Sequence, residues 1–425
     1  MTSSTLARLP RLNAPEVHHL PNGLTVIAEQ MPIDAINLNL WLNVGSYLEP
    51  DAINGMAHFL EHMIFKGTKR LQSGEFERRI EQRGAVTNAA TSQDYTHYYL
   101  TCAPKDFAEL APLQMDVVLN PLVPDDAFER ERLVVLEEIR RSEDNPRRRM
   151  FGRMMEMSFE KSPYRRQVLG PQTVISQLQP QQMRDFHTHW YQPKSMTAVV
   201  VGNLPVEELI DTVVLGFGNS KQPVDNQQQI VSYSETPFKK IVRSTYIDES
   251  LQQARIALMW RVPGLKDLND TYALDVLAAI LGHGRTSRLV RDLREDKGLV
   301  SHIGTSNMNF QHQGIFYISA QCPVENIEAV ENAIVQHIQA VSTSKVSVSE
   351  LERISSQVAK RFVFANESPS DRAGLYGYYQ SLVGALEPAF EYPSRIQAQT
   401  STHLMQAAEQ YLPSDAYGVV IAKPC

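Results

Sequence analysis

Two histidines and a glutamate in one short apolar stretch, Gly55–Phe65, have the types and spacing needed to bind a metal ion and activate water. His58 and His62 stand four residues apart, so on a helix they project from one face about one turn apart and can reach a single ion. Glu61 would lie beside that face, where it can touch water at the metal without being a ligand. The stretch predicts a metal-dependent hydrolytic centre, because polar groups in an apolar helix are costly unless paired or metal-bound. A chance pattern on a surface helix is the alternative.

A third protein ligand is expected, because a catalytic zinc usually has three and keeps one position open. The run 126–141 is strongly helical and rich in carboxylates. Glu131 and Glu138 are seven residues apart and so share one helix face, and Val134 and Val135 predict that this face points inward. One carboxylate would complete the metal site and the other would hold a ligand or the substrate. The other charged residues of the run are expected to be solvated: Glu129, Arg130, Arg132 and Arg140.

With both parts present, the chain resembles the pitrilysin and insulysin family of inverted zinc peptidases, closest to the mitochondrial processing peptidase beta type in its bacterial two-domain form. The family motif is H-x-x-E-H with a glutamate ligand at a characteristic distance downstream, and Glu138 stands at that distance from His62. The resemblance implies that His58, His62 and Glu138 bind one Zn²⁺ per chain and that Glu61 is the general base toward water at the zinc. The second essential glutamate of the family, seven residues before the ligand, falls on Glu131 and is assigned a catalytic role.

The resemblance also implies how a peptide binds. Residues 85–101 are rich in β-branched and aromatic side chains and predict a hairpin that turns near Ser92–Asp94. In the family, the first strand of this hairpin runs beside the zinc, and an extended substrate adds to its edge. Asn88 and Ala89 match the family's positions and are predicted to bind substrate through main-chain hydrogen bonds, which depend little on sequence.

One departure from the family concerns the second half of the chain. Self-sufficient relatives carry an arginine and a tyrosine seven residues apart, and the tyrosine is placed to donate to the scissile carbonyl oxygen. Here Arg294 is kept as a substrate-binding residue, but Ser301 stands in the tyrosine position. A serine hydroxyl is too short for that role, and loss of one oxyanion donor typically costs ~10²–10³ in rate. The favoured interpretation is a heterodimer in which a homologous metal-free subunit supplies the pair; a homodimer that relies on Arg294 and water is the alternative.

Composition fits a globular enzyme. A chain of 425 residues is expected to form two or more domains, and its 43% hydrophobic and 21% charged residues are typical of globular proteins. A net charge of −7 argues against nucleic acid as a partner and mildly favours basic peptides. No apolar run approaches the ~18 residues of a membrane span, and the amino terminus lacks the apolar core of a secretory signal. The predicted compartment is cytoplasmic.

The order of elements repeats after a polar stretch. Residues 1–218 are predicted to form the zinc-bearing domain, 219–238 a linker and 239–425 a metal-free duplicate. Ile36–Val44 and Ala254–Trp260 are matching alternating strands, the former with one buried face, and Tyr272–Leu281 stands where the metal helix stood. The fold class is therefore α+β, with two duplicated α/β-roll halves. Each half has a mixed, mostly antiparallel sheet with helices packed on it, and together they are expected to form a clamshell-like substrate cavity as a dimer.

The predicted function is zinc-dependent endopeptidase activity on peptides or presequence-like segments bound in extended form. The main alternative is a non-catalytic zinc-binding scaffold or core subunit of a larger complex, since relatives of this fold serve in that way. The full set of His58, Glu61, His62 and Glu138 favours the enzyme, because a scaffold has no physical reason to keep it.

Overall fold

A computed structural model describes residues 15–218 and 233–425, in two halves that each pack helices on a β-sheet. The first half contains strands β1 (Glu16–His19), β2 (Thr25–Gln30), β3 (Ile36–Leu42), β4 (Val86–Thr91), β5 (Thr96–Cys102) and β6 (Met196–Gly202), and helices α1 (Met56–Ile64), α2 (Glu75–Gln82), α3 (Pro104–Leu119), α4 (Asp125–Asp144), α5 (Pro146–Ser158), α6 (Gln172–Ile175), α7 (Pro180–Trp190) and α8 (Val206–Phe217). The second half contains strands β7 (Val242–Ile247), β8 (Ala254–Pro263), β9 (His302–Asn309), β10 (Gln313–Cys322) and β11 (Gly418–Lys423), and helices α9 (Leu268–Gly282), α10 (Ile327–Thr343), α11 (Val348–Phe364), α12 (Pro369–Val383), α13 (Glu387–Gln397) and α14 (Ser401–Tyr411), with a π-helical turn at Val290–Asp296.

The two sheets repeat one topology. The first sheet has the order β1-β2-β6-β3-β5-β4 and the second has the order β7-β11-β8-β10-β9. The pairs β2–β6 and β7–β11 are parallel, and the other pairs are antiparallel. The register repeats as well, since Ile36 lies opposite Cys102 in the first sheet and Ala254 lies opposite Cys322 in the second. The predicted α+β fold with a duplicated half is confirmed.

Each half lends one helix to the sheet of the other. Helix α12 packs on β3 and β6 of the first sheet, and α5 packs on β8 and β11 of the second. All seven residues of β3 are therefore buried, including Asn37 and Asn39. The prediction that this strand has only one buried face was wrong. The helix that covers its second face, α12, belongs to the other half of the chain, so the alternation of residues within β3 could not predict this cover.

The exchanged helices make close and polar contacts. A Cβ atom added to Gly377 of α12 would lie 2.0 Å from Nε1 of Trp41 on β3, so the helix can approach the sheet only with glycine at this position. Beside that contact, the buried carboxylate of Glu29 on β2 accepts hydrogen bonds from the Tyr376 hydroxyl at 2.6 Å and from Nη1 of Arg372 at 2.6 Å. The two halves are therefore held together by a packed and hydrogen-bonded interface.

Most predicted elements occur within a few residues of their expected bounds. These include the metal helix (α1), the acidic helix (α4), the hairpin that turns at 92–95, and the duplicate helix (α9). The predicted linker lies partly outside the described residues, so the domain boundary at 218 stays a prediction. Among the described helices, none is both long and apolar enough to cross a bilayer.

Candidate metal centre

The helix that carries the two histidines is anchored at its amino terminus by a buried carboxylate. Glu49 accepts hydrogen bonds from the backbone N–H groups of Ala57 (2.7 Å) and Gly55 (2.8 Å) and from Nδ2 of Asn54 (2.9 Å). An anion at this end also interacts favourably with the helix dipole. Gly55 has φ +97° and packs against Gly170, where a Cβ atom would lie 2.2 Å from the Asn54 carbonyl oxygen. These contacts fix where α1 begins and hence where its polar face points.

Three donor atoms converge beside α1. Nε2 of His58 and Nε2 of His62 each lie 3.6 Å from Oε2 of Glu138 on α4, and a set of donor atoms from these three residues lies within 4.8 Å of one another. In a tetrahedral zinc site with bonds of about 2.0–2.1 Å, two ligand atoms are about 3.3 Å apart. The described residues therefore fit a divalent zinc ion, with two imidazoles and one carboxylate as ligands.

The protonation of the two histidines differs. Burial, followed by the charge of His62, lowers the pKa of His58 to about 4, so this imidazole is neutral at pH 7 and keeps a lone pair for a metal. Its Nδ1 atom is buried and has no hydrogen-bond partner among the described residues. Burial alone would lower the pKa of His62, but hydrogen bonds with Glu131 and Glu138 raise it to about 9. A metal ion would therefore displace a proton from His62.

Glu131 orients His62 from the side opposite the converging atoms. Its Oε1 atom accepts a hydrogen bond from Nδ1 of His62 at 2.9 Å, and its Oε2 atom lies 2.7 Å from Nζ of Lys66. Burial alone would raise the pKa of Glu131, but these two contacts hold the pKa below its ordinary value. A carboxylate on the second ring nitrogen fixes the tautomer that leaves Nε2 free for a metal.

Two expectations for α4 need correction. Val134 is 50% exposed, so it does not mark an inward face; Val135 is fully buried and does. Arg132 was expected to be solvated, but it is buried because its guanidinium donates to the carbonyl oxygens of Ile175 (2.8 Å) and Leu178 (2.7 Å). The acceptors lie on α6 and just after it, far along the chain, so the charge pattern of α4 could not reveal them. Glu137, one position before Glu138, faces outward and pairs with Arg140 and Arg141.

Glu61 lies next to the converging atoms and is held by the hairpin. The Thr91 hydroxyl on β4 donates a short hydrogen bond to Oε2 of Glu61. Burial raises the pKa of Glu61 above its ordinary value, although the bond from Thr91 opposes the shift. A raised carboxylate pKa suits a general base that works near neutral pH.

The strand β4 forms one edge of the first sheet and runs beside α1. Alternate residues of a strand point to opposite faces, so Ala89 and Thr91 face the α1 side, whereas Asn88 faces the opposite side of the sheet. Asn88 is exposed, and its Oδ1 atom accepts a hydrogen bond from the backbone N–H of Ala89 at 2.9 Å. Substrate binding at Asn88 and Ala89 stays a prediction, and of the two only Ala89 projects its side chain toward the metal residues.

The residues at the family's arginine and tyrosine positions in the second half are both engaged within the chain. Arg294 donates through Nη2 to Oε1 of Glu295 at 2.6 Å. The Ser301 hydroxyl donates to Oε1 of Gln253 at 2.5 Å. The role of Arg294 in substrate binding therefore also stays a prediction.

Sequence reasoning missed three contributors to the site: Glu49, Lys66 and Thr91. Thr91 could have been found, because strand alternation places it on the same face as Ala89, two residues earlier. Lys66 follows His62 by four residues, the spacing of neighbours on a helix face. Glu49 gave no such signal, since it lies outside α1, before the short helical turn Asp51–Ile53, and so has no helical spacing to the metal residues.

Two duplicated α+β halves, with two histidines and a glutamate that converge beside a further glutamate, are the arrangement expected of a zinc peptidase, and the comparisons support that family. Residues 24–172 match the family described as insulinase (peptidase family M16), and residues 177–358 match the family described as the peptidase M16 inactive domain. The chain belongs to peptidase family M16.

Two relatives illustrate the similarity along the whole chain. The chain is 27% identical over 412 residues to the zinc protease PqqE of Helicobacter pylori, a match that covers 95% of this chain and 92% of that protein. It is 28% identical over 416 residues to an uncharacterized zinc protease of Mycobacterium tuberculosis, with 97% and 93% covered.

Solved structures share the fold. The crystal structure of a protease from Helicobacter pylori matches with a TM-score of 0.91 and 27% identity, and the match covers 97% of this chain and all of that one. The periplasmic protease PqqL of Escherichia coli matches with a TM-score of 0.82 and 19% identity over 97% of this chain and 48% of that one, which shows a likeness of fold alone. Since that neighbour is described as periplasmic, the cytoplasmic compartment of this chain stays a prediction.

Proposed function

We propose that this chain is a zinc-dependent endopeptidase that cleaves peptides bound in extended form. The observation that carries the proposal is the convergence of His58, His62 and Glu138, with Glu138 3.6 Å from each imidazole and Glu61 alongside. Zinc, when bound, supplies a Lewis acid that lowers the pKa of water to around 7 and polarises the peptide carbonyl. Relatives named zinc proteases support the choice of metal.

The protein residues would divide the remaining work. Glu61 would accept a proton from the attacking water and return it to the leaving amine, as a general base and then a general acid. The Thr91 hydroxyl would hold the Glu61 carboxylate in place. Glu131 would keep His62 in the tautomer that presents Nε2, and the edge of β4 at Asn88 and Ala89 would pair with the substrate backbone.

We further propose that a second chain completes the site. The residues at the arginine and tyrosine positions of self-sufficient relatives do not form a free donor pair here, because Arg294 pairs with Glu295 and Ser301 bonds to Gln253. A homologous metal-free subunit that supplies the pair fits this arrangement, and a homodimer is the second candidate. The clamshell-like substrate cavity belongs to the same proposal.

The decisive experiment is hydrolysis of a mixed peptide library by the purified zinc-loaded chain, with a chelator control. Chelator-sensitive cleavage by the chain alone supports the endopeptidase and contradicts the need for a metal-free partner. Bound zinc without cleavage, restored by a homologous metal-free chain, supports the heterodimer. Bound zinc without cleavage under either condition contradicts the enzyme and leaves the scaffold.

Metal content tests the ligand set directly. His58→Ala and Glu138→Ala are each expected to lose most of the bound zinc, because each removes one of three protein ligands. Glu137→Ala is the matched control, since this neighbouring carboxylate faces solvent and pairs with arginines. Zinc per chain, measured by elemental analysis after gel filtration, should remain near one for the control. Full zinc occupancy in either ligand variant would reject that residue as a ligand.

A further inference from the structure

A cavity of about 290 Å³ lies between α5 of the first half and the second sheet. Arg147 and His302 are exposed at its mouth, Arg255 is half-buried in its wall, and buried Met150 and Met154 line its apolar side. Strand pairing places Arg255, Gln321 and His302 in one row across β8, β10 and β9. This row forms the polar side of the cavity.

The next row of the sheet on the same face has small side chains, and Ser319 of this row lines the cavity. Ala257, Ser319 and Gly304 are paired in register beside the polar row. A Cβ atom added to Gly304 would meet only the His302 ring, at 3.7 Å, so the sheet is open at this position. A ligand with an apolar group next to a polar one therefore matches the cavity in shape and in chemistry.

The two arginines of the cavity lack a carboxylate partner among the described residues. Within residues 15–218 and 233–425, neither Arg147 nor Arg255 forms an ion pair with a carboxylate. Asp248 acts on Arg255 electrostatically, but it is already held by Arg149, with Nη2 2.7 Å from its Oδ1 atom, and by the Ser250 hydroxyl. Burial, followed by the charge of Arg147, lowers the pKa of Arg255. Two guanidinium groups that line one cavity and repel each other favour a bound anion, since charge-assisted bonds to a carboxylate relieve the repulsion.

The cavity lies within reach of the metal residues. Helix α4 carries Glu138 and ends at Asp144, and α5, which carries Arg147, begins at Pro146. The six residues from Glu138 to Asp144 rise about 9 Å, and the three residues from Asp144 to Arg147 add about 10 Å at most, so the Cα atoms of Glu138 and Arg147 lie within about 19 Å of each other. An extended peptide spans that distance with at most about six residues.

We propose that this cavity binds a carboxylate of the peptide substrate, together with an adjoining apolar side chain, within about six residues of the scissile bond. The carboxylate is either an acidic side chain or the free carboxyl terminus. This inference rests on the proposed peptidase function and names the feature by which that site would select peptides. It predicts a preference for an anionic group at one end of the bound segment, although the chain as a whole is acidic.

Direct binding tests the proposal without any need for cleavage. Three fluorescent octapeptides share one sequence and differ only in charge: one has a glutamate near an amidated end, one has glutamine there and a free carboxyl terminus, and one has glutamine and an amidated end. Fluorescence anisotropy would give their affinities for the metal-free chain in a chelator, at low and at high salt. At least one anionic peptide is expected to bind roughly tenfold or more tightly than the neutral one, and less so at high salt.

Three variants locate the effect. Arg147→Gln and Arg255→Gln are each expected to abolish the preference for the anionic peptide, and Arg255→Lys to retain part of it. Arg153→Gln is the matched control, because this arginine of α5 stacks on Tyr246 with its guanidinium 4.2 Å from the ring centroid and does not line the cavity. Circular dichroism and thermal unfolding would show that each variant folds.

The outcomes separate this inference from the function on which it rests. Tighter binding of the glutamate peptide alone identifies an acidic side chain, and tighter binding of the free-terminus peptide alone identifies the carboxyl terminus. Equal affinity for all three peptides, including no binding by any, overturns the inference, as does a preference that survives Arg255→Gln. A chain that shows the preference but cleaves nothing when loaded with zinc contradicts only the peptidase.

Discussion

Helix α1 of the first half and helix α9 of the second half occupy the same place in the same topology, but their surroundings differ. Cys102 and Cys322 hold matching positions in the two sheets, so Thr101 and Gln321, which precede them, match as well. Val86 pairs with Thr101, and His302 pairs with Gln321. Thr91 on β4 and Asn307 on β9, each five residues further along, therefore hold equivalent sheet positions. Thr91 bonds to Glu61 of α1, and Asn307 donates to Asp275 of α9 at 2.8 Å. Asp275 is therefore the counterpart of Glu61.

Around these two acids the helices diverge. His58 lies three residues before Glu61, and His62 lies one residue after it. The equivalent positions around Asp275 in α9 are Tyr272 and Val276, and both are buried. Helix α13 packs on α9 and α11, and its Tyr392 hydroxyl donates to Oδ2 of Asp275 at 3.0 Å. The second half thus closes over its acid, whereas the first half leaves Glu138 about a third exposed beside its histidines. The duplicated topology sets where the acid stands, and the cover decides whether anything can reach it.

The largest expected effect is the contrast between isosteric changes of the two acids. Glu61→Gln should reduce peptide hydrolysis by about 10³ or more, because a carboxamide cannot accept the proton, while the zinc content stays unchanged. Asp275→Asn should leave the turnover number within about threefold, since no substrate reaches a covered residue. Turnover of one fluorogenic peptide by both variants checks the comparison. Comparable activity losses would mean that the two acids are not functionally distinct.

The next contrast concerns how the two helices begin. Glu49→Ala should lower the free energy of unfolding by about 3 kcal/mol, because the three donors that it satisfies at the start of α1 would be buried without an acceptor. Asp267→Ala at the start of α9 should change it by less than about 0.5 kcal/mol, since Asp267 is exposed and its side chain caps nothing. Urea denaturation gives both values. A small effect of Glu49→Ala would show that α1 does not need its anchor.

A third contrast lies within α12, the helix that crosses between the halves. Gly377→Ala should destabilise the protein by about 2 kcal/mol, because the added methyl would overlap the Trp41 ring. Gly374→Ala on the same helix meets no atom within 4 Å and should stabilise it by about 0.5–1 kcal/mol. Thermal unfolding of the pair is the measurement. A shift of the same sign for both would argue against a close contact at Trp41.

The smallest expected effect is a pH dependence of stability that belongs to the covered acid. Burial raises the pKa of Asp275 to about 6, from about 3.9 in the unfolded chain. Between these values the folded state binds more protons, so the free energy of unfolding falls as the pH rises from about 4 to 6. Asp275→Asn removes this fall in the free energy of unfolding, because the new side chain does not titrate. The new amide can also donate to Oδ1 of Asn307, which is buried without a partner among the described residues. By this linkage the variant should be more stable than the parent by roughly 1–2 kcal/mol at pH 7 and equal to it near pH 4. An advantage independent of pH would assign the gain to packing.

The sequence predicted those features that depend on short-range periodicity and spacing. The common face of His58 and His62 follows from helix geometry, the choice of Glu138 over Glu131 follows only from the family resemblance, and the duplicated order of strands follows from alternation and turns. What it could not predict depends on contacts between distant residues. The second buried face of β3, the burial of Arg132 and the cover over Asp275 all arise from helices far away in the chain, and no local pattern marks their targets.

The exchange of α5 and α12 also bears on how the chain is made. The outer face of the first sheet presents Ile27, Trp41, Val199 and Val201, which are buried in the finished molecule beneath α12. After β6 leaves the ribosome, roughly 170 further residues must be synthesised before α12 emerges, which takes on the order of 10–30 s. During that interval a large apolar surface has no partner from its own chain. The nascent protein is therefore expected to depend on a chaperone during translation, and the separated first half to aggregate rather than fold.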